Sequence, residues 1–187
     1  KIFSKLGAEV ILKDPPLKGA MECFQTQRAV GLRGLGNLLE KTIPNWREFA
    51  KDTATWNIEK GFGLTIEDMI RAEATRTRIF EDISEYFRDF DALLLPAAQV
   101  PPFDLSQEWI SEITGIKLDT YIDWMSVCCM ITVTGLPAIS VPGGFTEEGL
   151  PVGIQLVGKP NGDLELLKIA NAYEAITKHY ARTPELF

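Results

Sequence analysis

The sequence predicts an α/β protein, because short strand-like apolar runs alternate with segments of helical period along its length. Two observations carry this. From Thr65 to Phe90, apolar residues recur at helical spacing behind a Thr-x-x-Asp start. Further on, PAISVPGG and PVGIQLVG, two β-prone runs, each follow a Gly-Leu or Gly-Leu-Pro step and are separated by the turn FTEEGL.

The elements follow in order. Ile2, Phe3 and Leu6 share one helical face and Gly7 stops that helix. Residues 8–12, AEVIL, then read as a strand broken by Asp-Pro-Pro. A helix-Gly-strand unit of this kind normally follows an earlier strand, so further chain upstream is expected. Leu17 to Leu39 has helical apolar spacing, but Gly31, Gly34 and Gly36 predict a loop or broken helix in its second half. GLRGLG is not a phosphate loop, since it lacks the preceding strand and the closing Lys-Ser/Thr.

The Thr65–Phe90 helix is expected to bury one face through Ile66, Met69, Ile70, Phe80, Ile83, Phe87 and Phe90. DALLLP reads as a buried parallel strand ended by Pro96. Residues 100–117 read as irregular. A second helix over 119–135 is apolar on nearly every side from Tyr121 onward, which predicts an interior helix stopping at Gly135. In the two Gly-Leu-Pro strands, Pro137 and Pro151 suit first-residue positions that need no ladder N–H, and Gly143, Gly144, Gly153 and Gly158 allow close backbone approach. A last helix opens at Asp163 as N-cap and aligns Leu164, Leu167, Ile169, Ala170, Tyr173 and Ile176.

Composition narrows the function classes. A net charge of -7 works against nucleic acid, whose binding rests on Lys and Arg neutralising phosphates. No apolar run approaches the roughly 20 residues that span a bilayer, so no membrane association is expected. Cys23, Cys128 and Cys129 are odd in number and two are adjacent, a poor disulfide framework that fits reduced thiols and a cytoplasmic setting. With one histidine, His179, and no CxxC pair, neither a metal site nor a cofactor is expected.

Nor does a nucleophile emerge. None of the serines sits in a Gly-x-Ser-x-Gly elbow, and Ser140, inside an apolar run, reads as a buried hydroxyl bonded to backbone. His179 lies on a terminal amphipathic helix and reads as a surface residue. Apolar neighbours raise rather than lower the pKa of Cys128 and Cys129, which reads them as core or pocket residues. Asp119 and Asp123 suit an exposed helix start better than an acid/base pair.

DALLLPAAQVPP, then CCMITVTGLPAISVPGGFTEEGLPVGIQLVGKP, then GDLELLKIANAYE resembles, in that order and spacing, the carboxy-terminal part of the amidase signature family. The resemblance is strong over 91–180 and weaker over 1–90. It implies a mixed-sheet amidase-signature fold with helices on both faces, and residues 1–187 as the carboxy-terminal portion of a single amidase domain. It also implies amide hydrolysis by a Ser, cis-Ser, Lys triad. This sequence has no Gly-Gly-Ser-Ser run, so no catalytic residue is assigned here, and the amino-terminal catalytic portion, on the same or a separate chain, becomes the expected partner.

On the same resemblance, Trp124, Cys128 and Cys129, with Tyr121 and Thr132 behind them, are the candidates for lining a pocket for a small amide. Gln155 falls at a position the family uses, where its amide is expected to tie strands or loops together. Two alternatives stand beside this reading. One is a non-catalytic binding module on the same scaffold. The other is a glutamine-dependent tRNA amidotransferase of the A type, whose relatives carry an acidic residue near the positions of Met125 and Ser126.

Overall fold

The computed structural model describes residues 1–182, so residues 183–187 of the predicted 1–187 domain lie outside the described part. The helices are α1 (Ile2–Lys5), α2 (Ala20–Thr42), α3 (Asp52–Phe62), α4 (Ile66–Tyr86), α5 (Ser126–Thr134) and α6 (Asp163–Thr177). The strands are β1 (Ala92–Pro96), β2 (Glu112–Ile113), β3 (Ile116–Lys117), β4 (Ala138–Phe145) and β5 (Pro151–Gly158). The main sheet has the order β1-β5-β4, and β2 and β3 form a separate small hairpin inside the stretch expected to be irregular.

Helices cover both faces of the main sheet, as expected. Pleat alternation along β5 sends Val157 to one face, where it meets Ile83 of α4, Phe87 just after that helix, Leu93, and Ile131 of α5. Leu156 points to the other face, onto Val141 and onto Leu166, Ala170 and Tyr173 of α6. Phe3 of α1 stacks on the Tyr173 ring at 5.0 Å between centroids. A third cluster, Ala20, Cys23, Ala72, Ile79 and Val133, joins α2, α4 and α5.

Several expectations are corrected. β1 pairs antiparallel with β5, Leu94 opposite Leu156, not parallel as predicted. Nor is it buried throughout, since Leu93 is buried but Leu94 and Pro96 are exposed; a continuous apolar run carries no information about strand direction. AEVIL forms no strand; Val10, Ile11 and Leu12 are exposed. Strand propensity is a fit to a neighbouring pleated surface, and among the described residues no strand pairs with this segment.

The second half of α2 is unbroken despite its three glycines. A Cβ at Gly36 would lie 2.8 Å from Phe62 Cζ, so this glycine sets how closely α2 approaches α3, while Gly31 and Gly34 face open space. α3 itself has no counterpart in the sequence reading. The interior helix starts at Ser126 after a 3-10 turn at Asp123–Met125, not at Asp119. Gly135 ends it in the left-handed conformation, φ 69°, as expected.

α4 carries the expected capping box, Thr65 Oγ1 accepting from Asp68 N at 3.1 Å and Asp68 Oδ2 accepting from Thr65 N at 3.0 Å. Its buried residues are Ala72, Ile79 and Ile83, with Phe87 just beyond, whereas Ile66, Met69, Ile70 and Phe80 are exposed. The predicted stripe therefore wraps two faces, of which the chain buries one. Likewise Leu164, Leu167 and Ile176 of α6 are exposed. The N-cap of α6 is Gly162 without a side-chain bond, and Asp163 is the first helical residue.

The capping box makes a direct prediction. Thr65→Ala is expected to lower stability by about 1 kcal/mol in denaturant titrations. The Thr65 backbone N–H, then its hydroxyl, holds the Asp68 carboxyl below its ordinary value. That contribution is present above the ordinary carboxylate range and is lost as pH falls through the lowered value. Asp68→Asn should therefore flatten part of the acid limb of the stability profile, and an unchanged limb would rule the box out as its source.

Candidate functional site

At the end of β1 the chain runs on through Ala97 and Gln99, and this exit is tied to the first turn of α5. Ala97 N donates to Gly153 O at 3.0 Å, extending the pairing with β5. Cys128 Sγ donates to Ala97 O at 2.9 Å. Gln99 Oε1 accepts from Val127 N at 3.1 Å and Ser126 Oγ at 2.7 Å. No residue of the α5 start supplies a side-chain cap, so Gln99 satisfies one of the free N–H groups from outside the helix. Gly153 is required here, because a Cβ would lie 2.8 Å from Ala97 Cβ and 3.1 Å from Ser140 Oγ.

Beside this junction lies a largely apolar groove of about 750 Å3, its lining including Leu95, Gln99, Phe103, Trp124, Gly153 and Ile154. Trp124 meets Phe103 edge-on, ring centroids 5.5 Å apart, so the two rings fix one wall. Its lining residues include no charged side chain, which suits an apolar ligand group.

The five predicted site residues do not converge. Trp124 lines the groove. Cys128, half-buried, serves the junction beside it. Cys129 is buried in the helix packing. Thr132 is exposed and returns its hydroxyl to Cys128 O at 3.0 Å. Tyr121 lines a second, smaller cavity, and its hydroxyl is bonded by Arg28 and, at 2.7 Å, by Asn57 Nδ2. The resemblance placed these residues on one buried helix, but Tyr121 precedes the 3-10 turn at Asp123–Met125, Trp124 lies within it, and only Cys128, Cys129 and Thr132 belong to α5.

Neither Gln99 nor the Arg28–Asn57–Tyr121 cluster was found from sequence. Gln99 could have been noticed as an isolated amide in the apolar stretch after β1, whereas Arg28 and Asn57 meet only through the packing of α2 on α3. Gln155 is buried in the middle of β5, in register with Leu95 and Ser140, and its Nε2 has no hydrogen-bond partner among the described residues. Ser140 is exposed, not buried as expected, because β4 is an edge strand and α6 covers its opposite face. His179 is half-buried, edge-on to Phe145 at 6.0 Å between centroids, not a free surface residue.

Burial raises the thiol pKa of Cys128. Cys129 is pushed up to about 11 by burial and then by Cys128, which together outweigh Arg28. Both are therefore neutral thiols at physiological pH, unsuited to nucleophilic attack. Alkylation of Cys129 is expected to keep accelerating with pH beyond the ordinary thiol range. Levelling of its rate below pH ~9 would show an activated thiolate instead.

The Amidase family matches residues 19–167, which includes the groove and every element that ties it. The chain belongs to the amidase family. Among solved structures, a bacterial aryl acylamidase of the amidase signature family superposes with a TM-score of 0.82 at 24% identity, covering 96% of this chain and 39% of that one. A further amidase superposes at 0.81 with 25% identity, covering 93% of this chain and 39% of its own. Likeness at this identity establishes the fold.

Among curated relatives, the A-type subunit of glutamyl-tRNA(Gln) amidotransferase from Myxococcus xanthus is 39% identical over 117 residues, 63% of this chain and 23% of that protein. Its namesake from Symbiobacterium thermophilum is 39% identical over 119 residues, 62% of this chain and 22% of that protein. This amidase-family chain thus spans less than a quarter of those relatives' length in the matched region, and about two fifths of the solved amidases. No helix among its described residues is long and apolar enough to cross a membrane.

Proposed function

We propose that this chain is the carboxy-terminal portion of a single amidase domain that hydrolyses carboxylic amides in the cytoplasm. It supplies scaffold and one wall of the pocket, and the serine nucleophile lies on the amino-terminal portion, in the same or a separate chain. The observation that carries this is the groove walled by Trp124 and Phe103 and lined without a charged group, on the fold of solved amidases. Such a wall positions an apolar amide but offers no group to attack it. The chain alone is accordingly inactive, and the reaction needs no cofactor from it.

A second reading, a glutamine-dependent tRNA amidotransferase, draws support from the names of the curated relatives. Met125 and Ser126 stand where the sequence resemblance implies an acidic group to hold a substrate ammonium, and the net charge of -7 gives tRNA little to bind. These favour the apolar amide.

Fluorophosphonate labelling followed by native mass spectrometry of the chain joined to its amino-terminal portion tests the proposal. The label is expected on the amino-terminal portion, with apolar amides hydrolysed in preference to glutamine. Trp124→Ala should raise KM for them about tenfold or more. Preference for glutamine would establish the amidotransferase reading, and absence of any label would leave a binding module.

A further inference from the structure

Apart from the groove, Trp56, Trp109 and Tyr121 wall a second cavity of about 230 Å3, in which Asp52 and Asp119 are the only charged lining side chains. Trp56 and Tyr121 meet edge-on at 6.2 Å between centroids, which fixes two walls at an angle to one another. Both carboxylates are exposed, and neither forms an ion pair among the described residues. An aromatic ring presents a negative face, so rings and carboxylates here favour the same sign of guest.

The chain's own cations already use the rings from outside the cavity. Lys60 Nζ sits 4.4 Å from the Trp56 centroid and the Arg28 guanidinium 5.5 Å from that of Tyr121. Neither Lys60 nor Arg28 lines the cavity itself. The Tyr121 ring is held in place by the hydrogen bonds that Arg28 and Asn57 make to its hydroxyl, so that wall is preformed.

We infer that this cavity binds a small organic cation, an alkylammonium or methylated ammonium head group, between the three rings and the two carboxylates. Anions are repelled by Asp52 and Asp119, and a bare inorganic cation makes poor use of three apolar walls. The inference rests on side chains of this chain alone and stands or falls separately from the amidase reading.

Choline titrated into the 187-residue chain, with its tryptophan indole N–H signals followed by NMR, tests it. The signals of Trp56 and Trp109 are expected to shift saturably while those of Trp46 and Trp124 stay still. The Trp46 signal, from a buried ring, also reports that each sample is folded. The neutral isostere 3,3-dimethylbutanol should bind at least tenfold more weakly than choline. The double variant Asp52→Asn, Asp119→Asn should lose at least tenfold in choline affinity. Equal binding of the neutral isostere, an unaffected double variant, or unmoved Trp56 and Trp109 signals would each overturn the inference.

Discussion

Gly61→Ala is expected to destabilise the chain by about 3 kcal/mol, while Gly34→Ala stabilises it by about 1 kcal/mol. The two glycines lie on facing helices, α3 and α2, yet their surroundings are opposite. A Cβ at Gly61 would press on the carbonyl oxygen of Ala29 and come within 2.9 Å of Arg33 N, both backbone atoms of α2 that move only if the helices part. A Cβ at Gly34 meets nothing within 4 Å. There alanine simply removes the entropy glycine loses on entering a helix. Gly36→Ala should fall between them, since the obstructing atoms belong to the side chains of Ile58 and Phe62, which can shift. Urea unfolding of the three variants measures the order, and a neutral Gly61→Ala would show that α2 and α3 do not pack this closely.

Asn57→Leu is expected to cost about 3 kcal/mol through one lost hydrogen-bond network and the buried groups it leaves behind. Asn57 is 5% exposed; its Oδ1 accepts from Arg28, and its Nδ2 donates to Thr53 O at 2.6 Å and Tyr121 Oη at 2.7 Å. The amide thereby joins α2, α3 and the segment that leads into α5. A leucine fills the volume but leaves the Arg28 guanidinium without this acceptor. Tyr121→Phe alone should cost about 1 kcal/mol. The double variant should cost less than the sum by more than ~0.5 kcal/mol, the signature of residues in one network. Strict additivity would show that the two act independently.

What could be read in the sequence followed local chemistry. Thr65 and Asp68 announced a helix start because the capping box is complete within four residues, and Gly135 announced a helix end for the same reason. The β4–β5 hairpin was legible because its turn and both strands are contiguous. The direction of β1 was not, since Leu93 and Leu95 face the same neighbours whichever way the chain runs. α3 escaped because its buried residues are Asn57, Ile58 and Gly61, two of which look like loop residues until α2 is laid against them. In the site, Trp124, which lines the groove, was suggested by the family resemblance alone and not by its local spacing. Gln99 and Arg28 were missed because their partners lie 27 or more positions away in sequence.

The order of the main sheet, β1-β5-β4, also sets a schedule for the chain as it is synthesised. Among the described residues β1 and β4 do not pair with one another; each pairs only with β5, the last of the three to be made. β1 can therefore rest on Ile83 and Phe87, made before it, but has no strand to pair with until residues 151–158 have followed. Any ending of translation before Gly158 leaves two strands that cannot close on each other, and their apolar residues are then surface for chaperones or for aggregation.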